Sequence, residues 1–164
     1  MLRRPLIAVA LVLLLAGSTA SAELTGKVVA VADGDTLTLL DGDNVQHKIR
    51  LHGIDAPERG QAFGNKSREA LAALTMGKQL AVNVSGLDRY KREIGVVSVA
   101  GENVNLRMVR DGWAWHFVKY APNDKVLAAA QTDAREARRG LWADGVPLSP
   151  WDHRAIQAAK RKKR

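Results

Sequence analysis

The chain has 164 residues, 25 Lys and Arg against 17 Asp and Glu, and no cysteine. That length suits one domain with end segments rather than two full domains. The lack of cysteine excludes disulfides, a thiolate metal site and a cysteine nucleophile, so an exported form must be held by its own core.

In chain order, the first feature is an export signal over residues 1–22. Arg3 and Arg4 form a basic start, residues 6–16 are an unbroken apolar run, and Ala20-Ser21-Ala22 is a small-residue cleavage site. The apolar run is short for a membrane span, which needs about 20 residues. Cleavage would start the mature chain at Glu23, leaving 23 basic residues against 17 acidic, or +6 rather than +8. Five of those charges sit in Lys160-Arg161-Lys162-Lys163-Arg164, so the body is nearly neutral at 18 against 17. A basic tail favours polyanions such as nucleic acid, anionic lipid or wall polymers, or it is only a solubilising end.

Residues 23–32, 36–40 and 45–52 read as three strands, with Val45, His47, Ile49 and Leu51 on one face of the third. Asp41-Gly42-Asp43-Asn44 is a hairpin turn, so the three form a meander. A helix is predicted over 67–76, stopped by Gly77. Strands follow at 79–84 and 94–99, with a polar connection at 85–93. Helices are predicted at 104–110 and 125–139, the latter capped by Asn123 or Asp124 and ended by Gly140. Ser149-Pro150-Trp151-Asp152 has the form of a capping box, so the tail begins as a helix. Five short strands with a helix after the third predict a small closed barrel of the OB type.

The polar clusters fall at the breaks between strands. A meander brings the start of strand two beside the end of strand three, so Asp35 and Asp55 meet at one rim. Two carboxylates with carbonyls and water suit a hard cation, Ca²⁺ or Mg²⁺, rather than zinc. Asp33-Gly34-Asp35 alone is also an ordinary turn, with glycine allowing a tight bend. Glu58, stiffened by Pro57, is placed to accept a proton from water, or is a solvated loop residue. Arg50 and Arg92 reach one centre from separate segments, as phosphate recognition by forked donors requires. Trp113, Trp115 and Trp142 are expected in the core, and His52 and His116 in structural roles.

Three ordered motifs carry a family resemblance. Val31-Ala32-Asp33-Gly34-Asp35-Thr36, Ile49-Arg50-Leu51-His52-Gly53-Ile54-Asp55-Ala56-Pro57-Glu58 and Asp88-Arg89-Tyr90-Lys91-Arg92 resemble those of the staphylococcal nuclease (thermonuclease) family. Tyr120-Ala121-Pro122-Asn123 and Gly140-Leu141-Trp142 also follow its pattern, and the resemblance runs from about Leu24 to Trp151. It implies an OB-fold five-stranded β-barrel with three α-helices, an α+β, mainly β class. It implies a single Ca²⁺ held by Asp35, Asp55 and the backbone carbonyl of Ala56, with Asp33 as an acid behind them. Glu58 matches the carboxylate that activates water, Arg50 and Arg92 the phosphate-clamping arginines, and Tyr90 and Tyr120 the nucleotide-contacting tyrosines. Val118 and Lys91 depart from the pattern, the second standing where a glycine precedes the second arginine.

The resulting expectation is a Ca²⁺-dependent nuclease, periplasmic or secreted, that hydrolyses DNA and RNA and leaves 3′-phosphate ends. The domains are expected at 1–22 (signal), 23–151 (nuclease-like OB domain) and 152–164 (basic tail). No protein partner is implied and a monomer is expected. The alternative is a non-catalytic OB module that binds nucleic acid. Such a module is expected to lose at least one of the metal acids, the glutamate or an arginine, and here all five are present.

Overall fold

A computed structural model describes residues 23–163. The predicted signal segment lies outside the described residues. Strand β1 (Glu23–Val31) pairs antiparallel with β2 (Thr36–Leu40), and β2 with β3 (Gln46–Leu51). The predicted turn joins β2 to β3: Asp41 Oδ1 accepts from the backbone N–H groups of Asp43 and Val45 at 2.9 and 2.8 Å, and Asn44 adopts φ 63°. A carboxylate that satisfies its own turn in this way is why Asp recurs there.

Helix α1 (Gly64–Thr75) follows the short strand β4 (Ile54–Asp55). It starts about one turn earlier than the composition of 67–76 predicted, because Phe63 enters the left-handed region at φ 65° and opens the helix with no side-chain cap. Strand β5 (Gln79–Leu87) returns beside β1, and β6 (Glu93–Val99) beside β5. β5 runs three residues past its predicted end, since backbone pairing of Gly86 with Ile94 and Leu87 with Glu93 tolerates a polar sequence. Parallel pairing of β3 with β6, Arg50 opposite Ile94, closes the five strands into a barrel. Closure removes the free edges that an open sheet of this size would expose.

Strand β7 (Glu102–Asn103) and helix α2 (Val104–Arg110) come next, with the Asn103 side chain accepting from Leu106 N as cap. Strand β8 (Trp115–His116) pairs with β4, Asp55 opposite Trp115. Helix α3 (Lys125–Glu136) is capped by Asp124, and it stops three residues short of the predicted end, where Arg138 turns left-handed at φ 50°. A 3₁₀ turn (Gly140–Asp144) leads to α4 (Pro150–Lys162). The predicted N-cap is formed, with Ser149 Oγ accepting from Asp152 N at 3.2 Å and donating to Asp152 Oδ2 at 2.5 Å in place of the reciprocal backbone bond of a full capping box.

Among the described residues the barrel therefore carries four α-helices, not three. The fourth crosses the boundary expected at 151/152, because a capped start followed by helix-forming Arg, Ala, Gln and Lys keeps the segment helical through Lys162. Among the described residues, no helix is long and apolar enough to cross a membrane.

The alternation of β2 and β3 fills the barrel with Leu37, Leu39, Ile49 and Leu51, joined by Val82 and Val97 and closed from outside by Leu71, Met108 and Val109. Val45, just before β3, and His47 share the phase of Ile49 and Leu51 but stay outside the core, Val45 exposed and His47 paired with Asp41 and Glu93. A second cluster, Trp115, Ala134, Leu141 and Trp142, packs α3 and the 3₁₀ turn, with the two indoles edge-on at 5.5 Å. The expected core role of those tryptophans holds. His116 is structural too: it is buried, and its Nε2 lies 2.8 Å from the Ala121 carbonyl oxygen.

Candidate active site

The register of the meander builds the site. Thr36 lies directly opposite Arg50, and Leu51 N donates to Asp35 O at 2.8 Å, so the start of β2 and the end of β3 form one wall. Four residues beyond Leu51, the β4–β8 pairing holds Asp55 at the same rim. An open cavity of about 1290 Å³ lies above them, and all nine residues expected at the site line it: Asp33, Asp35, Arg50, Asp55, Ala56, Glu58, Tyr90, Arg92 and Tyr120.

Asp35 and Asp55 are only 5% and 1% exposed, which is costly for carboxylates unless they are compensated. Arg50 compensates both. Its Nη1 lies 2.9 Å from Asp35 Oδ2 and its Nη2 3.0 Å from Asp55 Oδ1. Asp35 Oδ2 also accepts from Ala56 N at 2.8 Å, which ties the loop after β4 to the loop before β2. Burial pushes the Asp55 carboxyl above its ordinary value, and hydrogen bonding from Arg154 and the charge of Arg50 pull against it. Asp33 stands behind Asp35 and accepts from its backbone N–H at 3.1 Å. Burial first, and then the charge of Asp35, raise Asp33 to about 7.

Gly34 is required by packing and not by backbone freedom. A Cβ there would lie 1.8 Å from Ser67 Oγ and 2.7 Å from Ala56 Cβ. Ser67, fully buried, donates to Trp113 O at 2.6 Å, so helix α1 is pinned hard against the Asp33–Asp35 loop.

Arg92 arrives from the β5–β6 connection. Asp88 organises the loop by accepting from the backbone N–H groups of Tyr90 and Arg92 at 2.8 and 2.9 Å, and from Arg92 Nε at 2.7 Å. Although burial opposes it, these donors hold the Asp88 carboxyl below its ordinary value. Lys91 keeps the path a glycine would take, at φ 62°. Arg92 Nη1 donates to Thr36 Oγ1 at 3.2 Å, and Thr36 Oγ1 donates to Asp35 Oδ1 at 3.0 Å. One hydroxyl thus joins the second arginine to a carboxylate on the opposite wall. Tyr90 and Tyr120 stand at the rim, 64% and 62% exposed, with Tyr90 below the Arg92 guanidinium and Tyr120 edge-on to Phe117 at 5.0 Å.

Three residues at this site carried no assigned role in the sequence reading: Thr36, Asp88 and Arg154. The first two lie inside the quoted motifs. Arg154 comes from α4, and its Nη2 donates to Asp55 Oδ2 at 2.6 Å while its Nη1 donates to Glu58 Oε1 at 2.6 Å. Trp151, one turn earlier on α4, stacks flat on Phe117 at 5.4 Å and forms part of the cavity wall.

The family model described as "Staphylococcal nuclease homologue" matches residues 48–144, which is more than half of the chain. The chain belongs to the staphylococcal nuclease family. Similar proteins include a Haemophilus influenzae protein described as an uncharacterized endonuclease, 44% identical over 77% of this chain and 70% of its own. A Shigella flexneri protein named micrococcal nuclease is 38% identical over 88% of each chain, and Protein ParB of Escherichia coli is 40% identical over 90% of this chain and 88% of its own. The barrel expected from the resemblance is therefore the nuclease-family barrel. The matched segment includes Arg50, Asp55, Glu58 and Arg92, while Asp35 and helix α4 fall on either side of it.

The family resemblance implies a hard cation at this rim. Among the described residues, no group of three or more His, Cys, Asp or Glu is arranged to hold a metal ion. Two nearly buried carboxylates and a neighbouring backbone carbonyl are nevertheless an all-oxygen set. Their charge is matched in this structure by two guanidinium groups, which is where positive charge is wanted. The residues fit a hard cation that keeps several waters, and they do not fit zinc.

Proposed function

We propose that this nuclease-family protein hydrolyses phosphodiester bonds of DNA and RNA with Ca²⁺ held by Asp35, Asp55 and the Ala56 carbonyl. The observation that carries the reading is the convergence of two buried carboxylates, a third carboxylate and two arginines on one open cavity, each group from a different turn or strand end. Family membership and relatives named for nuclease activity support the reaction class.

When bound, the cation supplies Lewis-acid polarisation of a phosphate oxygen. The protein's own groups account for the rest. Glu58 is 40% exposed at its side chain and faces the cavity, so it can take a proton from an attacking water. Arg92, fixed by Asp88 and Thr36, presents a guanidinium whose charge is not consumed by Asp35 or Asp55. It stabilises the charge that builds on the phosphoryl oxygens as the fifth bond forms. Arg50 balances the buried carboxylates in this structure. Its guanidinium also lines the cavity, where its fork would meet the phosphate beside Arg92. Tyr90 and Tyr120 offer ring faces at the rim for the flanking nucleotides. The resemblance assigns the 5′ oxygen as leaving group, so the products carry 3′-phosphate ends.

The reading includes export, on the strength of Arg3-Arg4, the apolar run 6–16 and Ala20-Ser21-Ala22. N-terminal sequencing of the exported protein should begin at Glu23, and a retained Met1 would remove this part of the proposal.

The decisive experiment is hydrolysis of single-stranded DNA and RNA in Ca²⁺, in Mg²⁺ and in chelator, beside an Asp35→Ala variant. Cleavage that needs Ca²⁺ and is lost in the variant is expected, with 3′-phosphate found by end-group analysis. Binding without cleavage in every metal would favour the non-catalytic module instead.

A further inference from the structure

Residue Arg154 belongs to the site by geometry, though it lies beyond the segment that the family model matches. We infer that Arg154 is an internal counter-ion that competes with the cation for Asp55, and so sets how tightly the site holds that cation. The inference rests on the cation-dependent reading above.

Both carboxylate oxygens of Asp55 are already taken by guanidinium donors. Oδ1 takes Arg50 Nη2 at 3.0 Å and Arg154 Nη1 at 3.4 Å, and Oδ2 takes Arg154 Nη2 at 2.6 Å. Calcium bonds to carboxylate oxygens at about 2.3–2.6 Å. A cation held by Asp55 therefore lies only a few ångströms from the guanidinium, and two positive centres that close repel while they contend for the same oxygens. One of them must move.

Arg154 is the group able to move. Its side chain is 44% exposed, against 15% for Arg50, which is built into the β3 wall. Water can solvate the Arg154 guanidinium as soon as it leaves. The helix need not follow. The start of α4 is fixed independently by the Ser149 cap and by the stack of Trp151 on Phe117, so only bonds within the arginine side chain have to rotate. Buried Asp55, at 2% side-chain exposure, has no comparable freedom.

The same guanidinium also ties up Glu58, through Nη1 to Oε1 at 2.6 Å. Displacing it frees the carboxylate proposed to work on water in the same step that opens Asp55. Cation binding and readiness of Glu58 are thereby coupled through one side chain on the terminal helix.

The test is calorimetric titration of the full protein with Ca²⁺, with no nucleic acid present. Three proteins are compared: wild type, Arg154→Met, which keeps the aliphatic stem without charge, and Arg161→Gln, which changes an exposed basic residue in the last turn of α4. The Met variant is expected to bind Ca²⁺ about tenfold to a hundredfold tighter, the range for removing charge-assisted hydrogen bonds to a competitor. The Arg161→Gln variant is expected to match wild type. Should Arg154→Met fail to fold by circular dichroism, Arg154→Gln is read in its place with the same expectation. Equal or weaker Ca²⁺ binding by the neutral variant, with wild type still binding, would overturn the competition alone. No Ca²⁺ binding by either protein would overturn the cation reading of the site and this inference with it.

Discussion

The Thr36 hydroxyl is the smallest group that links the two sides of the site, and removing it is a sharp test of the arrangement. Thr36→Val keeps the shape of a residue that is 6% exposed and deletes one oxygen. That oxygen donates to Asp35 at 3.0 Å and accepts from Arg92 at 3.2 Å, so both lost bonds involve charged groups. Hydrogen bonds to charged groups are worth about 1.5–3 kcal/mol each. The low end applies here, because both partners keep others: Asp35 retains Ala56 N and Arg50, and Arg92 retains Asp88. A net loss of roughly 3 kcal/mol of stability is expected from the pair, two bonds each at that low end. The effect on turnover comes from aim and not from charge. Arg92 stays in the site but loses the contact that directs its Nη1 toward Asp35, so kcat should fall about tenfold. That is less than the roughly 10²–10³ that follows loss of a whole oxyanion donor. Steady-state hydrolysis of a short single-stranded oligonucleotide, with urea denaturation for stability, measures both quantities. Thr36→Ser keeps the hydroxyl and should stay near wild type. A folded Thr36→Val enzyme with unchanged kcat would show that the link does nothing for turnover. A fall as deep as that of Arg92→Ala would show that Asp88 does not hold Arg92 by itself.

Three further outcomes follow from the same geometry. Glu58→Gln should lower kcat by about 10²–10⁴, the usual range for a positioned acid–base group, and a rate within a few-fold of wild type would remove Glu58 from that role. Gly34→Ala should cost roughly 1–3 kcal/mol by overpacking, since the new methyl would meet Ser67 Oγ at 1.8 Å; adding Ser67→Gly should recover part of it in urea denaturation, and a neutral Gly34→Ala would mean that α1 can shift. On pH, hydrogen bonds to Asp41 and then Glu93 hold His47 above its ordinary 6.5, while hydrogen bonding from His47 holds Asp41 below 3.8. Their joint contribution to stability should be full between those two ordinary values, fade as pH falls through the lowered Asp41 value, and fade as pH rises through the raised His47 value. Thermal melts of His47→Gln against pH should lack the alkaline fade, and a parallel pair of curves would exclude the His47 contribution.

The barrel and most of the site were legible because the information is local. The β2–β3 turn carries its own satisfying carboxylate, and the alternation of Leu37, Leu39, Ile49 and Leu51 settles which faces point inward. Once those two strands pair, Asp35 and Arg50 meet at one rim, and the β4–β8 pairing brings Asp55 to it. Asp88 and Arg92 are four residues apart, so the loop that presents the arginine is written in one pentapeptide. What was not legible depends on tertiary contact. The role of Gly34 is set by Ser67 on a helix thirty-odd residues later, and the length of β5 by backbone pairing that its polar side chains do not advertise.

Arg154 shows the limit most clearly. Its partners Asp55 and Glu58 lie 99 and 96 residues away along the chain, and no spacing rule relates positions that far apart. Composition pointed the other way, because Arg154 precedes a run of basic residues whose obvious reading is a solvated tail. The one local signal was the capping box at Ser149, which fixes where α4 begins and hence which residue its first turns present. A stacked Trp151 then sets the helix against Phe117, and the residue three further along reaches the carboxylates. The segment thus divides within a single helix: Arg154 in the first turns reaches Asp55 and Glu58, and the last turn carries the basic residues Lys160, Arg161 and Lys162.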